Sequence, residues 1–180
     1  MNSPFLVPVS YLLKSVPSRR DIDLRAPFDE RHEFTPRAVV DADVPLDADV
    51  ELHVQLESFR GGINVRGTIK APWHGLCRRC STAILGEIEV AVSERFVEHL
   101  SPEDEEAYPI EHDFLDLLPM VHDAVLLELP IAPLCRADCQ GLCPTCGVDR
   151  NDVTCSCASE RHEHWATLDA LRFEDDASSD

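Results

Sequence analysis

The chain has 180 residues, enough for one ordinary domain with a small appendage but too few for two full domains. Its apolar content of 44% indicates a folded core, and its formal net charge of −18 disfavours charge-driven binding to nucleic acid, whose phosphates repel such a surface. A basic protein partner suits this charge better, although strong negative charge also serves solubility alone.

The first 20 residues do not predict a secretory signal, because they lack a basic n-region and because prolines and Lys14 interrupt their apolar residues. No run of about 18 apolar residues predicts a membrane-spanning helix. We therefore expect a cytoplasmic protein with no membrane association. In that compartment, clustered cysteines are more often metal ligands than disulfide partners.

The N-terminal segment predicts one short strand within the apolar stretch from Phe5 to Leu13. Pro4, Pro8 and Pro17 disfavour a helix there, so we expect an irregular connection after the strand.

The middle of the chain has a hydrophobic period of two, which predicts half-buried β-strands. Clear alternation covers residues 50–56, 63–69 and 84–92, and a further apolar stretch covers 39–44. Gly61-Gly62 marks a tight reversal between the first two strands. Residues 1–97 therefore predict an antiparallel β-sheet or a small barrel-like domain.

An acidic segment with two prolines, residues 98–113, predicts a flexible linker. Residues 114–133 then predict a helix that packs on the sheet, with Asp116 as its N-cap and Pro119 in its first turn. The apolar stripe that would face the sheet comprises Leu118, Val121, Val125 and Leu129. A sheet covered by one helix gives a fold of the α+β class.

Residues 134–173 predict a cysteine-rich module with a short terminal helix from His164 to Phe173, and residues 174–180 predict a disordered tail. The module contains the six candidate metal ligands, which are Cys135, Cys139, Cys143, Cys146, Cys155 and Cys157. Because the module has no evident hydrophobic core, we expect a bound metal to supply its folding free energy, on the order of 10 kcal/mol for small zinc modules.

The run Cys143-Pro-Thr-Cys146-Gly147 has the pattern of a zinc knuckle, in which two thiolates reach one ion across a tight turn. A structural zinc site needs two further ligands, and the spacing leaves open which of the other four cysteines supply them. The downstream His162 and His164 are a less favoured source of an imidazole ligand. Disulfides and a redox switch that ejects zinc are the alternatives to a stable site.

A separate pair, Cys77-Arg-Arg-Cys80, also has the C-x2-C spacing. It could supply half of a metal site, but a turn between two strands with partly buried cysteines is the favoured interpretation. Arg78 and Arg79 form a small basic spot that could touch an RNA phosphate or an acidic partner.

The sequence contains no Ser/His/Asp signature, no phosphate-binding glycine-rich loop and no HExxH helix. A catalytic zinc needs an open coordination position, whereas an all-cysteine set favours a closed structural site. We therefore expect a protein that is not an enzyme and that binds structural zinc.

Four segments resemble the YceD family, which is also described as large ribosomal RNA subunit accumulation proteins. They are Cys77-Arg-Arg-Cys80, the stretch FLDLLPMVHDAVLLELPIAPLC, the run DCQGLCPTCGVDRN, and Cys155-Ser-Cys157. Their order and spacing match the family pattern over most of residues 70–157, whereas residues 1–60 match only in general character. Gln140 departs from the pattern, since the family usually has a lysine there.

The resemblance implies a role in the accumulation of large-subunit (23S) ribosomal RNA in bacteria, and a genomic link to a small zinc-ribbon protein of that subunit. Some members lack the C-terminal cysteines, which implies that the metal is a structural aid. We expect a basic ribosomal protein or a pre-50S particle as the partner, while direct rRNA contact and the oligomeric state stay open. The alternatives are a general zinc-binding interaction module of the transcription or translation machinery, and a zinc enzyme acting on nucleic acid.

Overall fold

The computed structural model describes residues 3–28, 38–39, 41–45, 48–102 and 107–157. Within these ranges the chain forms nine strands in one mainly antiparallel sheet, with two helices, so the fold is mostly β and contains more strand than the expected α+β class suggests. The elements are β1 (Leu6–Pro8), α1 (Ser10–Lys14), β2 (Arg19–Pro27), β3 (Ala38–Val39), β4 (Ala42–Asp43), β5 (Asp49–Phe59), β6 (Gly62–Leu76), β7 (Ala83–Val97), β8 (Tyr108–Glu111), β9 (Phe114–Asp116) and α2 (Leu118–Glu128).

The β5–β6 hairpin forms where the alternation predicts it. Val50, Leu52 and Leu56 are fully buried on one face of β5, while the polar residues between them are at least partly exposed. Phe59 pairs with Gly62, so the reversal is a two-residue loop in which Gly61 has a φ of +88°. Glycine suits this loop because other residues rarely adopt a positive φ.

The β6–β7 hairpin is longer than its alternation indicates and projects beyond β5. β5 pairs with β6 only as far as Lys70, whereas β6 and β7 stay paired as far as Leu76 and Ala83. The short strand β4 pairs with the projecting part of β6. Residues 77–82, which we call the hairpin tip, connect the two strands and carry the Cys77-Arg-Arg-Cys80 motif.

The other edge of the sheet is built from segments distant in sequence. β7 pairs in parallel with β8, β8 pairs with β9, and β9 pairs with the N-terminal strand β1. β8 lies within residues 98–113, for which the sequence predicts an acidic linker. Its Ile110 is buried in the main core and Tyr108 stacks on Phe96 of β7, with ring centroids 5.0 Å apart, so packing orders this part.

The helix α2 packs against β6 and β7. Its buried side chains include the predicted Leu118, Val121 and Val125. The N-cap residue is Leu117, one position after the predicted Asp116, but the Asp116 carboxylate accepts a hydrogen bond of 3.0 Å from the backbone N–H of Leu118. Asp116 therefore still satisfies one of the free donors of the first turn.

The expected irregular connection after β1 is wrong for residues 10–27. The helix α1 occupies residues 10–14, and β2 pairs with β5 along nine residues. Pro8 and Pro17 lie outside the helix, and the five residues between Val9 and Ser15 are long enough for one turn, anchored by the buried Leu12.

The predicted terminal helix from His164 to Phe173 and the predicted tail 174–180 lie outside the described residues. None of the helices described is long and apolar enough to cross a membrane.

Candidate metal centres

The eight cysteines of the chain form two groups of four. We call Cys77, Cys80, Cys135 and Cys139 the hairpin cluster, and Cys143, Cys146, Cys155 and Cys157 the knuckle cluster. In each cluster the four Sγ atoms all lie within 4.8 Å of one another. Each cluster could therefore hold one metal ion.

The sulfur spacing fits a tetrahedral ion and not a disulfide. At a zinc–sulfur distance of about 2.3 Å, two ligands of a tetrahedral site lie about 3.8 Å apart. In the hairpin cluster the Sγ atoms of Cys77 and Cys139 are 3.8 Å apart, and those of Cys80 and Cys135 are 3.6 Å apart. A disulfide requires about 2.05 Å, and all eight cysteines are free thiols.

The hairpin tip presents two thiols from a single tight turn. The N–H of Cys77 donates to the carbonyl of Thr82, and the N–H of Ser81 donates to the carbonyl of Cys77, each at 2.8 Å. Ser81 has a φ of +59°, which lets the chain reverse between the two strands. Cys77 and Cys80 are buried, so their sulfurs point towards the segment that follows α2 and not into solvent.

The knuckle cluster starts from a turn of the kind that the sequence predicts. The N–H of Gly147 donates to the carbonyl of Cys143 at 2.8 Å, and Gly147 has a φ of +73°. Leu142 and Asp149 form an isolated antiparallel bridge that brings the two ends of the turn together. Cys143 is buried, whereas Cys146 and Cys157 are exposed, so this cluster lies nearer to solvent than the hairpin cluster.

Within each cluster, the surroundings lower the pKa of some thiols and raise the pKa of others. The N–H of Cys135 lowers the pKa of Cys77 to about 6, and the N–H of Cys146 lowers the pKa of Cys143 to about 6. Burial raises the pKa of Cys135 to about 12, and the neighbouring Cys146 thiol raises that of Cys157 to about 12. Four adjacent thiols cannot all ionise unaided because the thiolates repel one another, and a divalent cation would offset that repulsion.

Asn151 lies beside the hairpin cluster, and its side chain takes part in several hydrogen bonds. Its Nδ2 donates to the Sγ of Cys139 at 3.4 Å, which lowers the pKa of that thiol, and to a carboxylate oxygen of Asp149 at 2.7 Å. Its Oδ1 accepts from Arg136 and from the backbone N–H of Gln140, each at 2.7 Å. Hydrogen bonds of this kind orient a metal ligand and favour its charged form.

The two arginines of the hairpin tip hold the surrounding chain. Arg79 donates from Nη1 to the carbonyl of Cys139 at 2.8 Å, and its own carbonyl accepts from the N–H of Leu142 at 2.9 Å. Arg78 forms an ion pair with Asp41 at 3.2 Å. Both side chains thus have partners within the chain, which weakens the idea of a basic spot reserved for RNA phosphate.

The structure separates the six cysteines that the sequence groups together. Cys143 and Cys146 lie with Cys155 and Cys157, whereas Cys135 and Cys139 lie with the hairpin tip. Cys77 and Cys80 do occupy a turn between strands with buried side chains, and they also face two further thiols. Counting the cysteines could have revealed this grouping. If four of them form the knuckle cluster, Cys135 and Cys139 need two more thiols to complete a second site, and the Cys77–Cys80 pair supplies them.

A known protein family matches the part of the chain that carries the cysteines. Residues 65–172 match the family model described as large ribosomal RNA subunit accumulation protein YceD. The chain belongs to the YceD family. All eight cysteines lie inside the matched range.

Two mycobacterial proteins are similar to this chain. A Mycobacterium tuberculosis protein is 39% identical over 127 residues, which is 66% of this chain and 59% of that protein. A Mycobacterium leprae protein is 36% identical over 101 residues, 53% of this chain and 46% of the relative. This YceD-family chain therefore matches only about three-fifths or less of the length of these relatives.

A named relative is the large ribosomal RNA subunit accumulation protein YCED homolog 1, chloroplastic, of Arabidopsis thaliana. It is 33% identical over 71 residues, 39% of this chain and 22% of the plant protein. No solved structure matches the chain.

Proposed function

We propose that this YceD-family protein is a non-enzymatic factor for the accumulation of large-subunit (23S) ribosomal RNA, and so for biogenesis of the large ribosomal subunit in the cytoplasm. The observation that carries the proposal is the family match over residues 65–172, which covers most of the β6–β7 hairpin, α2 and both cysteine clusters. The name of the Arabidopsis relative supports the same role.

The proposed partner is a basic ribosomal protein or a pre-50S particle. A chain of net charge −18 attracts a basic protein at long range, because complementary fields speed encounter and disfavour wrong partners. The same charge repels bare rRNA. We therefore infer that the factor acts on rRNA through a protein that the rRNA binds.

The metal in this proposal is zinc with a structural role in the knuckle cluster. Of residues 134–157, only Cys139, Gly141 and Cys143 are buried, so apolar packing contributes little to the order of this segment. Four thiolates would close the coordination shell and leave no position for a reacting water, which supports a role without catalysis. Chelation of the metal should abolish amide protection in residues 134–157 while the sheet stays protected, as measured by hydrogen exchange.

A general zinc-binding interaction module of the transcription or translation machinery is the second candidate. One observation favours it: apolar side chains are exposed around the end of α2 and along the cysteine-rich segment, including Leu127 at 88% and Ile131 at 65%. A group of neighbouring exposed apolar side chains can mark a surface that binds another protein. Affinity purification separates the candidates, since ribosomal proteins or pre-50S particles support the first and polymerase subunits support the second.

The deciding experiment for the function is depletion of the protein followed by sedimentation of ribosomal particles on a sucrose gradient. We expect a reduced large-subunit peak and reduced 23S rRNA relative to 16S rRNA, both restored by a wild-type copy. A copy carrying Cys143→Ser and Cys146→Ser should restore less, because it lacks the knuckle. Normal subunit peaks and normal rRNA levels after complete depletion would refute the proposed function.

A further inference from the structure

We propose that the hairpin cluster holds a zinc ion of its own, so that the protein binds two ions and the second one fastens the β-sheet to the cysteine-rich segment. This inference goes beyond the proposed function and does not depend on it. It rests on the position of the four thiols, on the packing around them and on the hydrogen bonds that orient them.

The four thiols come from two parts of the chain that only the fold brings together. Cys77 and Cys139 are 62 residues apart in sequence, and Cys80 and Cys135 are 55 residues apart. One pair lies on the tip of the β6–β7 hairpin and the other follows α2. An ion bound here would cross-link the sheet to residues 134–157, whereas the knuckle cluster joins only residues within that segment.

Apolar packing offers little else to hold this junction. The main core ends at Leu129 in sequence, and the described residues of the junction form a separate small cluster of Cys77, Cys80 and Cys139 with the partly buried Ile84. Sulfur atoms thus take the place that leucine or phenylalanine side chains take in an ordinary interface. A cluster of thiols this compact is explained by a shared ligand better than by packing, because thiols 3.6 to 3.8 Å apart gain little from one another.

Hydrogen bonds brace the two halves of the cluster against each other. The N–H of Arg78 donates to the carbonyl of Pro133, and Arg79 donates to the carbonyl of Cys139, at 2.9 and 2.8 Å. The Nδ2 of Asn151 donates to the Sγ of Cys139, and a hydrogen bond of this kind orients a thiolate ligand. The two segments that carry the thiols are therefore tied together by hydrogen bonds, and the sulfur of Cys139 has a donor of its own.

The donor set selects the ion. Four thiolates in a tetrahedral array suit zinc or iron and not magnesium or calcium, which prefer oxygen. Three of the four cysteines are buried, and the described part of the chain places no further metal-binding side chain in the cluster, so four thiolates would close the site, as in a structural zinc centre.

Metal stoichiometry of the purified, reduced protein tests the inference. We expect two zinc ions per chain by elemental analysis. The pair Cys77→Ser and Cys80→Ser should retain one, the pair Cys146→Ser and Cys157→Ser should also retain one, and the fourfold variant should retain none. One zinc per chain in the wild type, or two in the Cys77/Cys80 variant, would overturn the proposal, and so would iron in place of zinc.

Cobalt substitution of the wild-type protein keeps the test decisive if the serine variants fail to fold. Two tetrahedral thiolate sites should give thiolate-to-cobalt charge-transfer absorption that rises linearly to two equivalents, while a single site saturates at one. Hydrogen exchange adds a local readout, since an ion at the hairpin cluster should slow the exchange of the amides of residues 77–82 beyond the protection that their own hydrogen bonds give. These results do not involve ribosomes, so loss of either claim leaves the other standing.

Discussion

Replacement of Asn151 by aspartate should weaken metal binding at the hairpin cluster. The substitution keeps the size of the side chain and its acceptor oxygen, which receives hydrogen bonds from Arg136 and Gln140. It replaces the Nδ2 donor with a carboxylate oxygen at the same place. That oxygen would lie 3.4 Å from the Sγ of Cys139 and 2.7 Å from a carboxylate oxygen of Asp149.

The size of the effect follows from these distances. Two unit negative charges 3.4 Å apart repel by about 5 kcal/mol at an effective dielectric constant of about 20, an upper bound because Asn151 is only half-buried. Loss of a residue that hydrogen-bonds to a metal ligand costs by itself about 10- to 100-fold in metal affinity. We therefore expect Asn151→Asp to weaken binding by about 100-fold or more, and Asn151→Ala, which removes the donor without adding charge, by about 10-fold.

Competition with a chromophoric chelator measures this affinity. The variants are best made in a protein that also carries Cys146→Ser and Cys157→Ser, so that only the hairpin cluster binds metal. Asn64→Asp on β6 is the matched control, because it adds the same charge to the sheet away from the cysteines. The reasoning is refuted if Asn151→Asp binds metal as tightly as the parent protein, or if Asn64→Asp loses as much.

Three further predictions concern stability and pH. In denaturant unfolding, Gly141→Ala should destabilise the fold by about 1 to 3 kcal/mol more than Gly147→Ala. Both glycines have a positive φ, but only at Gly141 would an added Cβ lie 2.9 Å from the carbonyl oxygen of Arg79. Equal losses of stability in the two variants would contradict this reasoning. Leu52→Ala should cost about 2 to 5 kcal/mol because Leu52 is fully buried, whereas Leu85→Ala at an 84% exposed position should change stability by less than about 0.5 kcal/mol. Metal affinity should fall as the pH is lowered, gradually at first because protons compete for the Cys135 and Cys157 thiols, whose pKa is raised to about 12, and more steeply below about pH 6, where the Cys77 and Cys143 thiols also become protonated; an affinity that stays constant from pH 8 to pH 5 would contradict that sign.

The central strands and α2 could be predicted because their signals are local. The alternation over residues 50–56 indicates which face of β5 is buried, and Gly61 indicates where the chain reverses. The helix α1 and strand β2 could not be found in this way. The strand β2 is stabilised by its pairing with β5, which lies elsewhere in the sequence. The helix α1 has only the five residues 10–14, too few to display a helical hydrophobic period.

At the candidate site, the knuckle turn could be predicted from a short stretch of sequence. Proline and glycine in Cys143-Pro-Thr-Cys146-Gly147 favour a tight turn whatever surrounds it, so two sulfurs of one cluster could be named from five consecutive residues. The partners of Cys135 and Cys139, by contrast, depend on how the whole chain folds. Cys135 and Cys139 face Cys77 and Cys80 because the β6–β7 hairpin extends beyond β5 and because α2 leads the chain back to the hairpin tip. The length and packing of these elements are set by contacts between residues far apart in sequence.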